Sequence, residues 1–210
     1  MMTLLWTLIA FGSGALPFSV WLGRWALRTD IRRYGDGNPG GANLWRAGGA
    51  GWGLIGILLD YAKAALPVAW AHLGYGLGGW ALVPVALAPV FGHAYTPFLR
   101  GRGGKALAVT FGAWTGVSLW LGPMVLGLAF AFWLFTLRNE GWTVLLGMVT
   151  LFVVLLASGS GLPWLVIWLG NAGLLVWKHR RELRRRPDWQ RGWLGWLAQL
   201  RKRSGVGPGS

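Results

Sequence analysis

Long uncharged apolar runs, separated by short basic or glycine-rich segments, dominate the hydrophobic pattern of this chain. Runs free of Asp, Glu, Lys and Arg cover residues 1–23, 64–99, 106–137 and 141–177. A membrane-spanning helix needs roughly 20 mostly apolar residues. Because the last three runs exceed the length of one crossing, the pattern predicts an integral membrane protein that crosses the bilayer several times.

Glycine and proline divide these runs into separate helices. Breaks fall at 74–79, at 122–123 and at 158–163, where glycine, serine or proline interrupts the apolar sequence. The pattern therefore predicts an all-α fold with seven transmembrane helices. Their predicted positions are 3–26, 50–71, 79–98, 105–121, 123–137, 142–158 and 161–178. The Gly112-x-x-x-Gly116 spacing is typical of helices that pack closely in membranes.

The basic residues predict the orientation of this bundle. With seven crossings, one side receives the N-terminus and the turns near 72–79, 122–123 and 158–162, none of which contains Lys or Arg. The other side receives the basic segments 28–46, 99–105, 138–140 and the tail from 178. Short loops rich in Lys and Arg stay in the cytoplasm. We therefore expect the N-terminus outside, the C-terminus inside, a transmembrane domain at 1–183 and a basic cytoplasmic tail at 184–210.

Composition narrows the choice of partners and chemistry. The chain is 54% hydrophobic and 12% charged, and its formal net charge is +14. Its basic residues lie between apolar runs, so anionic lipid headgroups or small anionic substrates explain the charge better than nucleic acid does. The absence of cysteine excludes disulfides and thiolate chemistry. The three histidines lack metal-ligand spacing, so neither a metal nor another cofactor is predicted.

The first basic segment has a backbone suited to binding an anion. Four glycines and two asparagines fall within residues 35–43, followed by Arg46. Such a backbone adopts left-handed conformations and presents its amides to an anion. The predicted phosphate or glycerol ligands here are Asn38, Gly40, Gly41, Asn43 and Arg46. The alternative is an ordinary flexible loop.

The second basic segment ends in a glycine-rich turn that leads into an apolar helix. Amides at a helix N-terminus and a nearby lysine favour phosphate, which makes Arg102, Gly103, Gly104 and Lys105 candidates. It is not a Walker A loop, because Ala106 stands where Ser or Thr would bind magnesium. Nucleotide hydrolysis is therefore disfavoured. Alternatively, these basic residues only anchor helix ends to lipid headgroups.

Ionisable residues inside or at the ends of predicted spans form a third group. Asp60 and Lys63 lie three residues apart on one face of a helix. Because ionisable groups in a span are costly, they either pair with each other or face the site. His179 lies where the last helix leaves the membrane and is a candidate for hydrogen bonding or proton transfer. The rest of the tail is predicted to bind headgroups.

Four segments together resemble one known family. Residues 30–46, 59–64, 92–106 and 179–183 are similar to D-[IL]-R-x-x-G-S-G-N-x-G-A-T-N-x-x-R, L-D-x-x-K-G, G-H-x-[YF]-P-x-F-x-x-F-K-G-G-K-G and H-R-x-N-[IL]. These patterns belong to the bacterial acyl-phosphate:glycerol-3-phosphate acyltransferases. Those are seven-helix inner-membrane enzymes that make lysophosphatidate.

The resemblance implies an activity and a set of site residues. The expected reaction moves an acyl group from acyl phosphate to the sn-1 hydroxyl of glycerol 3-phosphate and releases inorganic phosphate. The expected location is the inner membrane, among its lipids, with the site facing the cytosol. Lys105 and His179 are the implied catalytic residues. Lys63, His93 and Arg180 join the substrate-binding residues named above.

The chain departs from the family pattern at informative positions. Asp36 replaces serine, Ala42 threonine and Glu182 asparagine, while Ala64 and Ala106 replace glycines. A carboxylate beside a phosphate is unfavourable, unless Asp36 acts as a base. The alternatives are therefore a catalytically silent or substrate-shifted paralogue, or a small carrier or binding protein for an anionic phosphate metabolite. A carrier should place polar groups at depth on several helices, and only one predicted helix does so.

Overall fold

The protein is built from helices joined by turns and short loops. A computed structural model describes residues 1–189, and all regular secondary structure in that part of the chain is helical. The α-helices are α1 Met2–Ala15, α2 Phe18–Ala26, α3 Gly41–Gly48, α4 Ala50–Ala69, α5 Leu82–Ala94, α6 Leu107–Ser118, α7 Leu121–Thr136, α8 Glu140–Ala157, α9 Leu162–Lys178 and α10 Arg180–Leu183. The predicted tail lies outside the described residues from Gln190 onward.

Apolar helices match the predicted spans. Four segments are long and apolar enough to cross a membrane: Met2–Ala26, Ala50–Gly74, Gly79–Leu99 and Glu140–Ala157. Three shorter apolar helices are α6, α7 and α9. Leu128, Phe135 and Leu169 are more than 60% exposed, as lipid-facing side chains are expected to be. An all-helical membrane protein is confirmed, whereas seven crossings and the orientation of the termini stay predictions.

The first span is interrupted, which the sequence interpretation of a continuous helix at 3–26 missed. Helix α1 ends at Ala15 and α2 begins after Pro17, whose nitrogen carries no hydrogen to continue the helical bonding. Two side chains from other parts of the chain bond the carbonyls exposed at the break. Thr96 Oγ1 donates to the Ala15 carbonyl at 2.5 Å, and Lys63 Nζ donates to the Leu16 carbonyl at 2.7 Å.

Helix α3 was read from the sequence as part of a glycine-rich loop. It is a short helix that packs against α4, and it ends at Gly48 with Gly49 as its capping residue. Its partner α4 also packs along α6. A methyl group on Gly112 would lie 2.1 Å from the Tyr61 carbonyl oxygen, and one on Gly116 would lie 2.5 Å from Val68 Cβ. The close packing predicted from the Gly112–Gly116 spacing is therefore confirmed.

The apolar core lies between the helices, and a smaller cluster lies under the predicted site. Trp114, Leu151 and Ile167 are among the buried side chains of the main cluster. The smaller cluster contains both Ala64 and Ala106, the two alanines that stand where the family pattern has glycine. Their methyl groups thus fill one shared region of the core between α4 and the start of α6.

Candidate active site

The four basic segments of the sequence come together around one cavity of about 490 Å³. One wall of the cavity is polar and is formed by the loop before α3, the start of α6 and the end of α9. The apolar part of the lining, called the apolar wall below, includes Ile57, Leu58, Leu107 and Phe111. The predicted site residues that line the cavity are Asn38, Gly40, Gly41, Arg46, His93, Lys105 and His179, together with the divergent Asp36 and Ala42.

Two helices begin at this cavity. Gly40 and Gly41 stand at the start of α3, and Ala106 and Leu107 stand at the start of α6, and all four line the cavity. The first amides of a helix have no carbonyl partner inside the helix, and the N-terminus carries a partial positive charge. The cavity is therefore suited to binding anions at two neighbouring points.

Asn43 holds the first loop together from a fully buried position. Its Nδ2 donates to Asp36 Oδ1 at 3.1 Å and to the Asn38 carbonyl at 2.9 Å. Its Oδ1 accepts a hydrogen bond from Arg46 Nη1 at 2.7 Å. These bonds use the amide group of Asn43, and the residue does not line the cavity. In this structure Asn43 therefore positions Asp36 and Arg46, and its predicted role as a ligand stays a prediction.

Lys105 lies at the centre of the polar wall among three carboxylates. Its Nζ is 2.7 Å from Asp36 Oδ2 and 2.7 Å from Glu182 Oε1. Glu140 Oε2, at the start of α8, is 3.8 Å away. The family resemblance located Lys105 and flagged Asp36 and Glu182. It gave no role to Glu140, whose only sequence signal is a carboxylate in a segment predicted to share the same side.

Burial and hydrogen bonding act in opposite directions on these groups. Burial by itself would lower the pKa of Lys105, but its hydrogen bonds to Asp36 and Glu182 outweigh that effect and raise the pKa above its ordinary value. Burial would likewise raise the pKa of Asp36 and of Glu182, yet the bonds to Lys105 bring both below their ordinary values. All three groups are therefore charged at neutral pH.

His179 lines the cavity and has one unprotonated ring nitrogen. Its Nδ1 lies 2.9 Å from the Leu175 carbonyl, and since a carbonyl only accepts, Nδ1 carries the proton. Burial lowers the pKa of His179 below its ordinary value, so the neutral ring predominates at pH 7. Nε2 is then free to accept a proton. The prediction that His179 faces the other loops is confirmed by its place in the cavity wall.

The glycine-rich turn before α6 closes on itself instead of opening toward a ligand. Gly103 N donates to the Ala94 carbonyl and Gly104 N donates to the His93 carbonyl, both at 3.2 Å. These two amides close the loop in this structure, and their predicted role in phosphate binding stays a prediction. Lys178, which the sequence interpretation missed, secures this closure. Its Nζ donates to the carbonyls of Ala94 at 2.9 Å and of Gly103 at 3.1 Å.

Arg102 and Arg180, which were predicted to bind substrate, do not line the cavity. Both side chains are exposed. The Arg180 guanidinium lies 4.3 Å from the centre of the Trp177 ring, and its Nη1 donates to the Trp177 carbonyl at 2.7 Å. This contact turns it away from the site. The exposed position of Arg102 fits the alternative that this residue anchors a helix end to lipid headgroups.

Asp60 and Lys63 form a buried ion pair of 2.7 Å. Asp60 and His93 line the cavity, whereas Lys63 points to the break between α1 and α2 and does not. Ser19 Oγ also donates to Asp60 Oδ2 at 3.2 Å. Lys63 therefore bonds Asp60 and the Leu16 carbonyl in this structure, and its predicted role as a ligand stays a prediction. Of the two interpretations weighed for this pair, mutual pairing that fixes helices describes Lys63, while Asp60 reaches the floor of the site.

Comparisons with known proteins agree with this geometry. The sequence profile of the glycerol-3-phosphate acyltransferase family matches residues 4–187. The chain is similar to glycerol-3-phosphate acyltransferase 1 of Thermotoga maritima, with 36% identity over 84% of this chain and 94% of the relative. It is also similar to the glycerol-3-phosphate acyltransferase of Thermus thermophilus, with 37% identity over 93% of this chain and 98% of the relative.

Solved structures give the same answer. Crystal structures of PlsY, an integral membrane glycerol 3-phosphate acyltransferase, superpose with TM-scores of 0.80 for the glycerol 3-phosphate form and 0.78 for the lysophosphatidic acid form. Each covers 87% of this chain and 90% of that chain at 26% identity. The family resemblance and the prediction of a membrane acyltransferase of phospholipid synthesis are confirmed. The chain belongs to the glycerol-3-phosphate acyltransferase family.

Proposed function

We propose that this protein transfers an acyl group from acyl phosphate to the sn-1 hydroxyl of glycerol 3-phosphate, giving lysophosphatidate and inorganic phosphate. The reaction takes place at the cytosolic face of the inner membrane, in a bundle of seven crossings with its N-terminus outside. The observation that carries the proposal is the cavity in which Lys105, Arg46 and two helix N-termini meet an apolar wall. Both substrates bear phosphate, and one also bears an apolar chain.

The polar wall is suited to holding two phosphate groups. Lys105 and the start of α6 form one positive region, and Arg46 and the start of α3 form the other. Both regions belong to the same cavity, so two bound phosphates would lie in neighbouring positions. Binding both substrates side by side converts an encounter of two molecules into a reaction within one complex.

The apolar wall accounts for the lipid character of one substrate. Leu58 lines the cavity and is 54% exposed on the outer surface of α4, which places it between the cavity and the surrounding lipid. Phe111 lines the same wall and packs edge-on against Phe130 of α7. An acyl chain can therefore lie along α4 and α6 while its phosphate occupies the polar wall.

The reaction needs a base and a stabilised leaving group, and it does not need an intermediate in which the acyl group is bound to the enzyme. Nε2 of the neutral His179 accepts the proton of the glycerol hydroxyl as that oxygen bonds to the acyl carbonyl carbon. The bond between that carbon and the phosphate oxygen then breaks, and inorganic phosphate leaves with the electron pair. Lys105 and the amides at the start of α6 stabilise the charge that develops on the departing phosphate.

The test is direct assay of the purified full chain with acyl phosphate and glycerol 3-phosphate, following phosphate release and lysophosphatidate. Lys105→Ala is expected to lower kcat/KM by at least about a hundredfold, because it removes the central cation of the site. Arg102→Ala is the matched control: this exposed cation three positions away lies outside the cavity, and activity should persist. Retention of most activity by Lys105→Ala would overturn the assignment.

A catalytically silent or substrate-shifted paralogue is the second candidate, favoured by the three carboxylates around Lys105. A silent paralogue would bind glycerol 3-phosphate without forming lysophosphatidate, and a substrate-shifted one would not use glycerol 3-phosphate as its acceptor. The same assay, combined with a binding measurement, separates the two. A carrier for an anionic metabolite is less well supported, because the charged pair at depth in the described spans, Asp60 with Lys63, already neutralises itself.

A further inference from the structure

The ammonium group on which phosphate binding depends is already occupied by carboxylates of the same chain. Asp36 comes from the loop before α3 and Glu182 from α10, and each lies 2.7 Å from Lys105 Nζ. Glu140 at the start of α8 is 3.8 Å away. Three segments distant in sequence thus supply negative charge to one lysine, and a phosphate needs the same position.

The charges around Lys105 disfavour a bound phosphate as long as both carboxylates stay beside the ammonium group. Lys105 contributes one positive charge, whereas Asp36 and Glu182 are both ionised because their pKa values lie below the ordinary ones. The other groups that face Lys105 are the exposed Glu140 and the neutral His179. Arg46, the other cation of the cavity, is hydrogen-bonded to Asn43. A dianion placed beside Lys105 would meet more negative than positive charge.

We propose that Asp36 and Glu182 determine the phosphate affinity of this site by competing with the ligand for Lys105. The proposal rests on the phosphate-binding role of Lys105 put forward above. Phosphate binds when these two carboxylates release the ammonium group. The two residues therefore weaken binding of any phosphate, whether free or carried by a lipid substrate, and they determine how much phosphate is needed to fill the site.

Both carboxylates are placed so that they can release Lys105 without unfolding their segments. Their side chains are 40% and 27% exposed, whereas the side chain of Lys105 is 17% exposed. Asp36 uses Oδ2 for Lys105 and Oδ1 for its bonds to Asn38 N and Asn43 Nδ2, so the loop bonds can persist after release.

Glu182 is held by its main chain and only partly by its side chain. Its carbonyl accepts a hydrogen bond from Asn139 Nδ2 at 2.8 Å, which keeps the backbone in place when the side chain turns. Its Oε2 is buried without a hydrogen-bond partner among the described residues. A carboxylate with one unsatisfied oxygen loses less on leaving its position than a fully bonded one does.

The experiment measures binding of inorganic phosphate and of glycerol 3-phosphate to the purified full chain by calorimetry. Asp36→Asn and Glu182→Gln keep the shape of each side chain and remove its charge. Each is expected to lower the Kd for both ligands about tenfold, the effect of losing one charge-assisted competitor at a partly exposed site. The double variant should bind more tightly than either single variant.

Asp30→Asn is the charge-matched control. Asp30 lies on the same loop, but its carboxylate pairs with Arg32 at 2.6 Å and does not line the cavity. Its replacement should leave the Kd for phosphate unchanged. The pair Asp36→Ser with Glu182→Asn, which restores the residues of the family pattern, tests the same point should an isosteric variant fail to fold.

Each result decides the matter. Tighter phosphate binding by the carboxylate variants, with no change in the control, supports competition. Unchanged or weaker binding overturns it, since the two carboxylates would then be neutral or would help to hold the ligand. Phosphate binding is measured without turnover, so it is independent of the acyl-transfer assay. If the variants bind phosphate more tightly but the protein forms no lysophosphatidate, the proposed reaction is wrong and the competition for Lys105 is still supported.

Discussion

Replacing Lys178 by methionine should loosen the turn that presents Lys105. Lys178 is half-buried at the end of α9, and its ammonium group bonds the carbonyls of Ala94 and Gly103. Those carbonyls stand on the two sides of the closed turn. Methionine keeps most of the length and the apolar stem of lysine but donates no hydrogen bond. The variant therefore tests the two bonds more than the packing.

The size of the effect follows from the bonding partners. A hydrogen bond from a charged donor contributes about 1.5–3 kcal/mol, with the lower values at exposed sites. After the change, the Ala94 carbonyl still accepts from Gly103 N, whereas the Gly103 carbonyl loses its Lys178 donor. We therefore expect a loss of about 2 kcal/mol. That corresponds to a melting temperature lower by roughly 4–8 °C for a chain of this size.

If the lost hydrogen bonds also displace Lys105, the variant should lose activity as well as stability. A cost of about 2 kcal/mol in the transition state lowers kcat/KM about thirtyfold. The assay is acyl transfer together with thermal melting in detergent micelles. Arg180→Met is the matched control, because Arg180 is two residues away, exposed and outside the cavity, and it should change kcat/KM by less than about threefold.

A Lys178→Met protein with wild-type melting temperature and wild-type kcat/KM would show that the turn closes without Lys178. Lower stability with unchanged kcat/KM would leave Lys178 as a stabilising residue and remove its influence on the site.

Three further predictions concern the turn, the base and the apolar wall. Gly103→Ala should lower activity by about tenfold or more, because the added methyl group would lie 1.9 Å from the His93 carbonyl oxygen. Gly51→Ala is its control: Gly51 has open space around it, so activity and melting temperature should be nearly unchanged. Burial lowers the pKa of His179 from its ordinary value of 6.5, so kcat/KM should stay constant as the pH falls to 6.5 and should decline at lower pH. His179→Gln should remove this decline, and a decline that persists in the variant would indicate another titrating group. Phe111→Ala should shift the kcat/KM ratio several-fold toward longer-chain acyl phosphates, and an unchanged ratio would place the acyl chain elsewhere.

Much of the fold could be predicted because each helix depends on the composition of its own segment. Long apolar runs can satisfy their backbone in lipid only as helices, so composition and breaks were sufficient to locate them. The break at Pro17 was missed because the hydrogen bonds that stabilise it come from residues distant in sequence. The helix α3 was missed because it is short, glycine-rich and stabilised by packing that the hydrophobic pattern does not show. Thr96 and Lys63 stabilise the one, and α4 packs against the other.

The site was predictable in its members and less so in their roles. Lys105, His179 and Arg46 were identified from motif and position, and all three line the cavity. The bonds that Asn43 and Gly103 make within the chain could not be predicted, because a sequence shows which groups can bind an anion but not which are already bonded. Glu140 and Lys178 carried no motif at all.

The interrupted first span has a consequence for how the protein assembles. Two carbonyls near residue 15 cannot be satisfied by their own helix and receive their partners from residues 63 and 96. An unpaired carbonyl in hydrocarbon costs several kcal/mol. The N-terminal helix is therefore incomplete as an inserted element until two later segments have left the ribosome, and the order of synthesis favours docking of the third long span before the first becomes stable.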